Sequence, residues 1–188
     1  MSDPSKRASG RESKNLDALA LGDAYKISTG ANGDLFVGGA NTGVIERFSS
    51  SGTDLGVIGN VSGFRSIQVM PNSDVLVGSV NGVISRFTAG GVNLGVFATL
   101  SGTTVSDIAI APNGDVYTAN GFSDTIQHLS PTGVSLGTVG SGFSTPSTLA
   151  FLPSATAVPE PSALALLAVP LLGVVARRSL RTRKVSSL

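Results

Sequence analysis

The sequence predicts an all-β fold assembled from repeated four-stranded units, and three observations lead there. Segments recur with a period of about forty residues. Each recurrence carries the same turn chemistry, at Asn32-Gly33-Asp34, Asn72-Ser73-Asp74 and Asn113-Gly114-Asp115, spaced 40 and 41 positions apart. The composition agrees: charged residues are 13% and aromatics 5%, while glycine reaches 24, which suits short strands joined by turns.

Within each unit the first strand is the apolar run before the turn, as in Ser66-Ile67-Gln68-Val69-Met70-Pro71 and Asp107-Ile108-Ala109-Ile110-Ala111-Pro112. Asn-Gly is a hairpin signal because both residues accept positive φ. The second strand follows it: Leu35-Phe36-Val37, Val75-Leu76-Val77 and Val116-Tyr117-Thr118. The third is centred on Val44-Ile45-Glu46-Arg47-Phe48, Val83-Ile84-Ser85-Arg86-Phe87 and Thr125-Ile126-Gln127-His128-Leu129. Gly52, Gly91 and Gly133 then lead, three residues on, to Leu-Gly pairs at 55, 94 and 136 that start the fourth strand. A fourth copy opens at Ser147-Thr148-Leu149-Ala150-Phe151-Leu152-Pro153 and stops, so the array is about three and a third units. Four short strands per unit match a propeller blade, whose apolar faces stack on its neighbours. The expected architecture is a partial β-propeller followed by a short C-terminal hydrophobic helix.

The third unit, from Asp107 to Asn120, resembles NHL-type and related six- or seven-bladed propeller repeats, and the likeness runs over roughly Lys26 to Leu152. That resemblance speaks to architecture and says little about ligand. The polar positions between second and third strands, Asn41-Thr42, Val80-Asn81 and Ser123-Asp124, share no single motif. Propellers have four to eight blades, so an array this short is expected to lack N-terminal blades or to complete its ring with a second chain.

The chain divides by composition into a polar segment over 1–21, the repeats over 22–154, a linker over 155–161, a hydrophobic transmembrane-like segment over 162–176 and a basic tail over 177–188. The uncharged run from Ala163 to Ala176 would span roughly 21 Å as a helix, short of the roughly 30 Å hydrocarbon core. Pro170 would kink it. It has no polar face, and the arginines that follow, Arg177 and Arg178, flank a membrane on the cytoplasmic side. Val158-Pro159-Glu160-Pro161-Ser162, the apolar run and the Arg-rich end, in that order, resemble a PEP-CTERM sorting tail. The resemblance implies recognition of Pro159, Glu160 and Pro161 by an exosortase, residence in the inner membrane during transit, and delivery to the cell surface or extracellular matrix. Such proteins carry a secretory signal, whereas Met1 to Asn15 is polar and Leu16 to Leu21 is short and contains Asp17, so the native start is expected to lie elsewhere.

The net charge of +1 hides an asymmetry: five of thirteen basic residues are Arg177, Arg178, Arg181, Arg183 and Lys184, and without them the body is acidic. An acidic body without a basic aromatic stripe argues against nucleic acid as a partner. With no cysteine and one histidine, thiolate catalysis and cysteine- or histidine-built metal sites are excluded. Asp34, Asp74 and Asp115 are equivalent and could offer oxygens to calcium, but recurrence once per unit points to turn capping. His128 replaces Arg47 and Arg86 of the other units, which marks a strand position rather than a catalytic base. Asp107 could line a central channel, yet Ser66 and Ser147 fill the matching places.

These observations predict no catalytic residue, no metal and no cofactor. The expected function is an exported, non-enzymatic propeller that binds an exopolysaccharide or a surface protein. The alternative is a propeller enzyme of lactonase or lyase type with its site in further N-terminal blades.

Overall fold

The computed structural model describes residues 22–151. The chain divides into two units, Met1–Phe151 and Leu152–Leu188, and the described residues belong to the first. Twelve strands form three four-stranded antiparallel sheets, each a simple up-and-down meander. The first holds β1 (Ala24–Thr29), β2 (Leu35–Gly39), β3 (Val44–Phe48) and β4 (Asp54–Asn60). The second holds β5 (Phe64–Val69), β6 (Val75–Ser79), β7 (Val83–Phe87) and β8 (Asn93–Thr99). The third holds β9 (Val105–Ile110), β10 (Val116–Asn120), β11 (Thr125–Leu129) and β12 (Ser135–Ser141). The four strands expected of each unit are therefore present, and the described residues contain no helix.

Strand alternation sorts each central strand between two neighbours. In β6, Val75 and Val77 point toward the first sheet and pack with Phe36, Ile45, Phe64 and Phe87. Leu76 points the other way and packs with Ile84, Val105, Ile108, Val116 and Leu129. All three β6 residues are fully buried, so a strand covered on both faces reads as a continuous apolar run. Burying a ring such as Phe64 contributes about 1.5–3 kcal/mol. The sheets meet chiefly through their first strands, β1 against β5 and β5 against β9, while the fourth strands lie at the outer edge.

Buried polar links stitch these inner strands together. The Val69 amide donates to Ser28 Oγ at 3.0 Å, and Ser66 Oγ donates to the Val105 carbonyl at 2.9 Å. Lys26 reaches from the first sheet to Asp107 of the third at 3.3 Å.

The turn after each first strand is a hairpin turn, but it uses the positive φ open to Asn-Gly at one residue and not at both. The Gly33 amide donates to the Gly30 carbonyl and the Gly30 amide to the Asp34 carbonyl, with only the second residue of Asn-Gly at positive φ. Gly33, Ser73 and Gly114 take φ of 83°, 70° and 89°. This is a type I turn closed by a left-handed residue, which needs one permissive position rather than two. The Leu-Gly pairs also open on a bulge: Gly56 and Gly95 donate to Asp54 and Asn93 side chains at 2.7 Å, and register shifts there. No strand forms over 147–151, where the fourth copy was expected to begin, although the Leu149 amide is tied to Asp107 at 2.8 Å. A strand there has no second strand of its own unit to pair with among the described residues.

The polar segment 1–21 and everything from 152, including the hydrophobic segment 162–176, Pro159, Glu160, Pro161, Arg177 and Arg178, lie outside the described residues.

Candidate functional site

Two ends of the inner strands carry polar chemistry. At the turn end the three units repeat one network. Asn32 Oδ1 accepts from the Asp34 amide and its Nδ2 donates to Asp34 Oδ2, and Asn72 with Asp74 and Asn113 with Asp115 do the same. Asn therefore caps the turn, the role expected of Asp. The Asp carboxylate serves the third strand instead: Arg47 Nε donates to Asp34 at 2.9 Å, Arg86 Nε to Asp74 at 2.7 Å, and His128 Nε2 lies 2.8 Å from Asp115. Arg47 also donates to the Ala89 carbonyl at 3.0 Å, linking first and second sheets.

The Arg47 hydrogen bonds, with help from Asn32, hold the Asp34 carboxyl below its ordinary value, and the His128 hydrogen bond does the same at Asp115 against the opposing effect of desolvation. His128 also stacks flat on Tyr117 at 4.4 Å between ring centroids. With one oxygen of each carboxylate, Oδ2, engaged by both the turn Asn and the third-strand side chain, these sites bear the structural role that once-per-unit recurrence suggested. Among the described residues no three His, Cys, Asp or Glu side chains gather closely enough to hold a metal ion.

At the opposite end a cleft of about 460 Å³ opens where the three inner strands begin. Tyr25, Arg65 and Ser106 line it, one from each sheet at the same position of the repeat. Each occupies a β-bulge: the register of β1 with β2 skips from Ala24 to Lys26, that of β5 with β6 from Phe64 to Ser66, and β9 with β10 breaks beside Ser106. A bulge inserts one unpaired residue and re-aims its side chain, here into the mouth. Asp107, Ser66 and Lys26, one residue further on, are spent on links between sheets. The channel position weighed from the sequence was one residue away from the one the bulge turns inward.

The turns between second and third strands supply Val80, Gly121 and Phe122, and the segment after β12 supplies Thr145 and Ser147. A recurring backbone bond fixes those turns: the amides of Ala40, Val80 and Gly121 donate to the carbonyls of Asp23, Gly63 and Thr104. A Cβ at Gly121 would meet Ser106 Oγ at 2.8 Å, so glycine there keeps the mouth open. Thr145 takes φ of 46°, unusual for a β-branched residue, with its amide donating to Asp124 Oδ1 at 2.8 Å. Beside the mouth, Asn120 is 1% exposed and its Oδ1 has no hydrogen-bond partner. Sequence reasoning passed over Tyr25, Arg65 and Ser106 because they share a repeat position without sharing chemistry. That divergence at a fixed position was the available signal.

No protein-family model matches the chain, and no curated protein does. Among solved structures it is similar to the hydrazine synthase of Kuenenia stuttgartiensis, with a TM-score of 0.60 at 13% identity over 68% of this chain. It is also similar to a protein provisionally named a gluconolactonase, with a TM-score of 0.57 at 18% identity over 71% of this chain. The chain spans 38% and 56% of the length of those two structures. At these identities the likeness establishes one thing: the three sheets belong to a propeller-type, all-β fold.

Proposed function

We propose that the protein is exported and sorted to the cell surface or extracellular matrix through a PEP-CTERM tail, with a non-enzymatic propeller as its binding body. One observation carries the sorting: Pro159-Glu160-Pro161, the uncharged run from Ala163 to Ala176 and Arg177-Arg178 stand in the order an exosortase substrate requires. On this proposal the Pro-Glu-Pro residues are recognised by exosortase, Arg177 and Arg178 stay on the cytoplasmic face of the inner membrane, and the body faces outward, free to meet an exopolysaccharide or a surface protein. The three sheets are three blades of a ring completed by further blades.

A second reading has its own support, the similarity to a protein named as a gluconolactonase. A propeller lactonase or lyase needs acidic or imidazole groups around a metal at its axis. The axial lining here offers a guanidinium, hydroxyls and aromatic rings, which favours binding over hydrolysis.

The test is to express the complete reading frame in an exosortase-bearing host and take intact masses of the surface, membrane and cytoplasmic fractions. A surface form ending in the Pro-Glu-Pro region is expected. A cytoplasmic form that retains Leu188 overturns the sorting, and lactone hydrolysis by the purified surface form overturns the non-enzymatic body.

A further inference from the structure

We propose that the axial mouth binds an acidic carbohydrate, with the sugar carboxylate on Arg65 and the sugar ring against Tyr25 and Phe122. The inference deepens the reading of the body as a binding module and rests on that reading, while it is independent of how the tail is sorted.

Residues 22–151 contain four Lys or Arg. Lys26 is paired with Asp107, Arg47 with Asp34 and Arg86 with Asp74. Arg65 alone has no hydrogen bond or ion pair among the described residues, and its one contact of note is the Tyr25 ring, 6.0 Å from the guanidinium carbon to the centroid. The same residues include eight Asp or Glu, and none of them lines the cleft. An unspent guanidinium therefore stands in a mouth free of acids on a body of net negative charge, which favours an anion at that spot alone.

The surroundings select the kind of anion. A single planar guanidinium fork matches one carboxylate, whereas a phosphate dianion draws several cations, and the other three described here are neutralised. Tyr25 is 51% and Phe122 79% exposed, so two flat apolar faces stand uncovered at the mouth, suited to the C–H face of a sugar ring. Ser106 and Ser147 line the cleft with hydroxyls that make no hydrogen bond within the described fold, so their capacity is left for a polyol. The strained Thr145 sits on the same rim, and strain of this kind persists where surrounding structure holds a site in shape.

The test uses the full-length chain in isothermal titration calorimetry, with tetragalacturonate and its carboxyl-reduced, neutral counterpart as probes. Tetragalacturonate should bind, and both reduction of its carboxyls and Arg65→Gln should weaken binding by about tenfold or more, the usual weight of a charged hydrogen bond. Arg65→Lys, which keeps the charge and loses the fork, should recover part of the loss. Because Arg65 makes no hydrogen bond or ion pair within the described fold and touches only the half-exposed Tyr25 ring, Arg65→Gln should melt close to the wild type, which separates lost binding from lost fold. Equal affinity for the reduced probe, unchanged affinity in Arg65→Gln, or competition by inorganic phosphate as strong as by tetragalacturonate overturns the proposal. Binding of the neutral probe alone, lost in Tyr25→Ala, overturns the acidic specificity and leaves a binding body. If neither probe binds, both the proposal and the binding role of the cleft fall.

Discussion

The two ends of the inner strands follow different rules. At the turn end three units present the same Asn, a left-handed residue at the same place, the same Asp and an Arg or His from the third strand, and these partners lie within the fold. At the mouth the equivalent positions hold Tyr25, Arg65 and Ser106, three different chemistries, and the cation has no acid to meet. Repetition marks what each unit needs in order to fold. Departure from repetition, at a position the backbone has re-aimed, marks what the assembled units are free to use.

The difference predicts that stability and ligand binding separate along the strands. The largest effect should come from the packing both ends depend on. Gly38 faces Phe64, and a Cβ there would lie 2.0 Å from the ring carbon Cζ of a side chain that is fully buried. Gly38→Ala should cost about 3 kcal/mol in urea denaturation, at the upper end for overpacking. Gly121→Ala meets only Ser106 Oγ at the open mouth and should leave the urea midpoint close to wild type while narrowing the cleft. Equal losses in the two would mean the mouth is as rigid as the core, against the division drawn here.

Next in size is Asp74→Ala. It strips Arg86 and Asn72 of their shared acceptor, and hydrogen bonds to charged groups at a half-buried site suggest a loss of about 1–2 kcal/mol. Tetragalacturonate affinity should not move. A variant that loses affinity at full stability would show that the turn end reaches the mouth.

How much of this was legible in the sequence follows the same division. The forty-residue period gave all twelve strands their places, because turn residues and apolar alternation recur in register. The partnership of Asp34 with Arg47 was legible in principle. The Asp recurs in every unit and a basic residue, Arg47, Arg86 or His128, follows it at a near-constant spacing, which antiparallel pairing of β2 with β3 brings together. It was missed because Asp was assigned to its own turn. The mouth was harder, since a bulge shifts register by one residue and nothing in an alternating pattern announces which residue is extruded.

Acid offers a test of the turn end alone. The Asp34 and Asp115 carboxyls titrate below their ordinary value of 3.8 in the folded chain. A group whose folded value is depressed adds stability above its unfolded value, and that stability is lost as pH falls through the folded value. Melting temperature should therefore decline below about pH 3.8, and more shallowly in Asp34→Asn. An unchanged slope in that variant would remove Asp34 from the account.

The smallest and sharpest test sets one backbone feature against itself at the two ends. Ser73 and Thr145 are both non-glycine residues at positive φ, at 70° and 46°. Glycine relieves roughly 1–2 kcal/mol of left-handed strain and returns roughly 0.5–1 kcal/mol in unfolded-state entropy, so each substitution should stabilise by about 0.5–1 kcal/mol. Ser73 occupies the place that Gly33 and Gly114 fill in the other units, so Ser73→Gly restores the repeat and should leave tetragalacturonate affinity alone. Thr145 sits on the rim of the cleft, bonded to Asp124, and Thr145→Gly should stabilise the fold while weakening the acidic ligand several-fold, because a looser rim must be ordered on binding. A stabilised Thr145→Gly that binds as well as wild type would mean its strain is incidental. The mouth would then be set apart by its charge and not by its backbone.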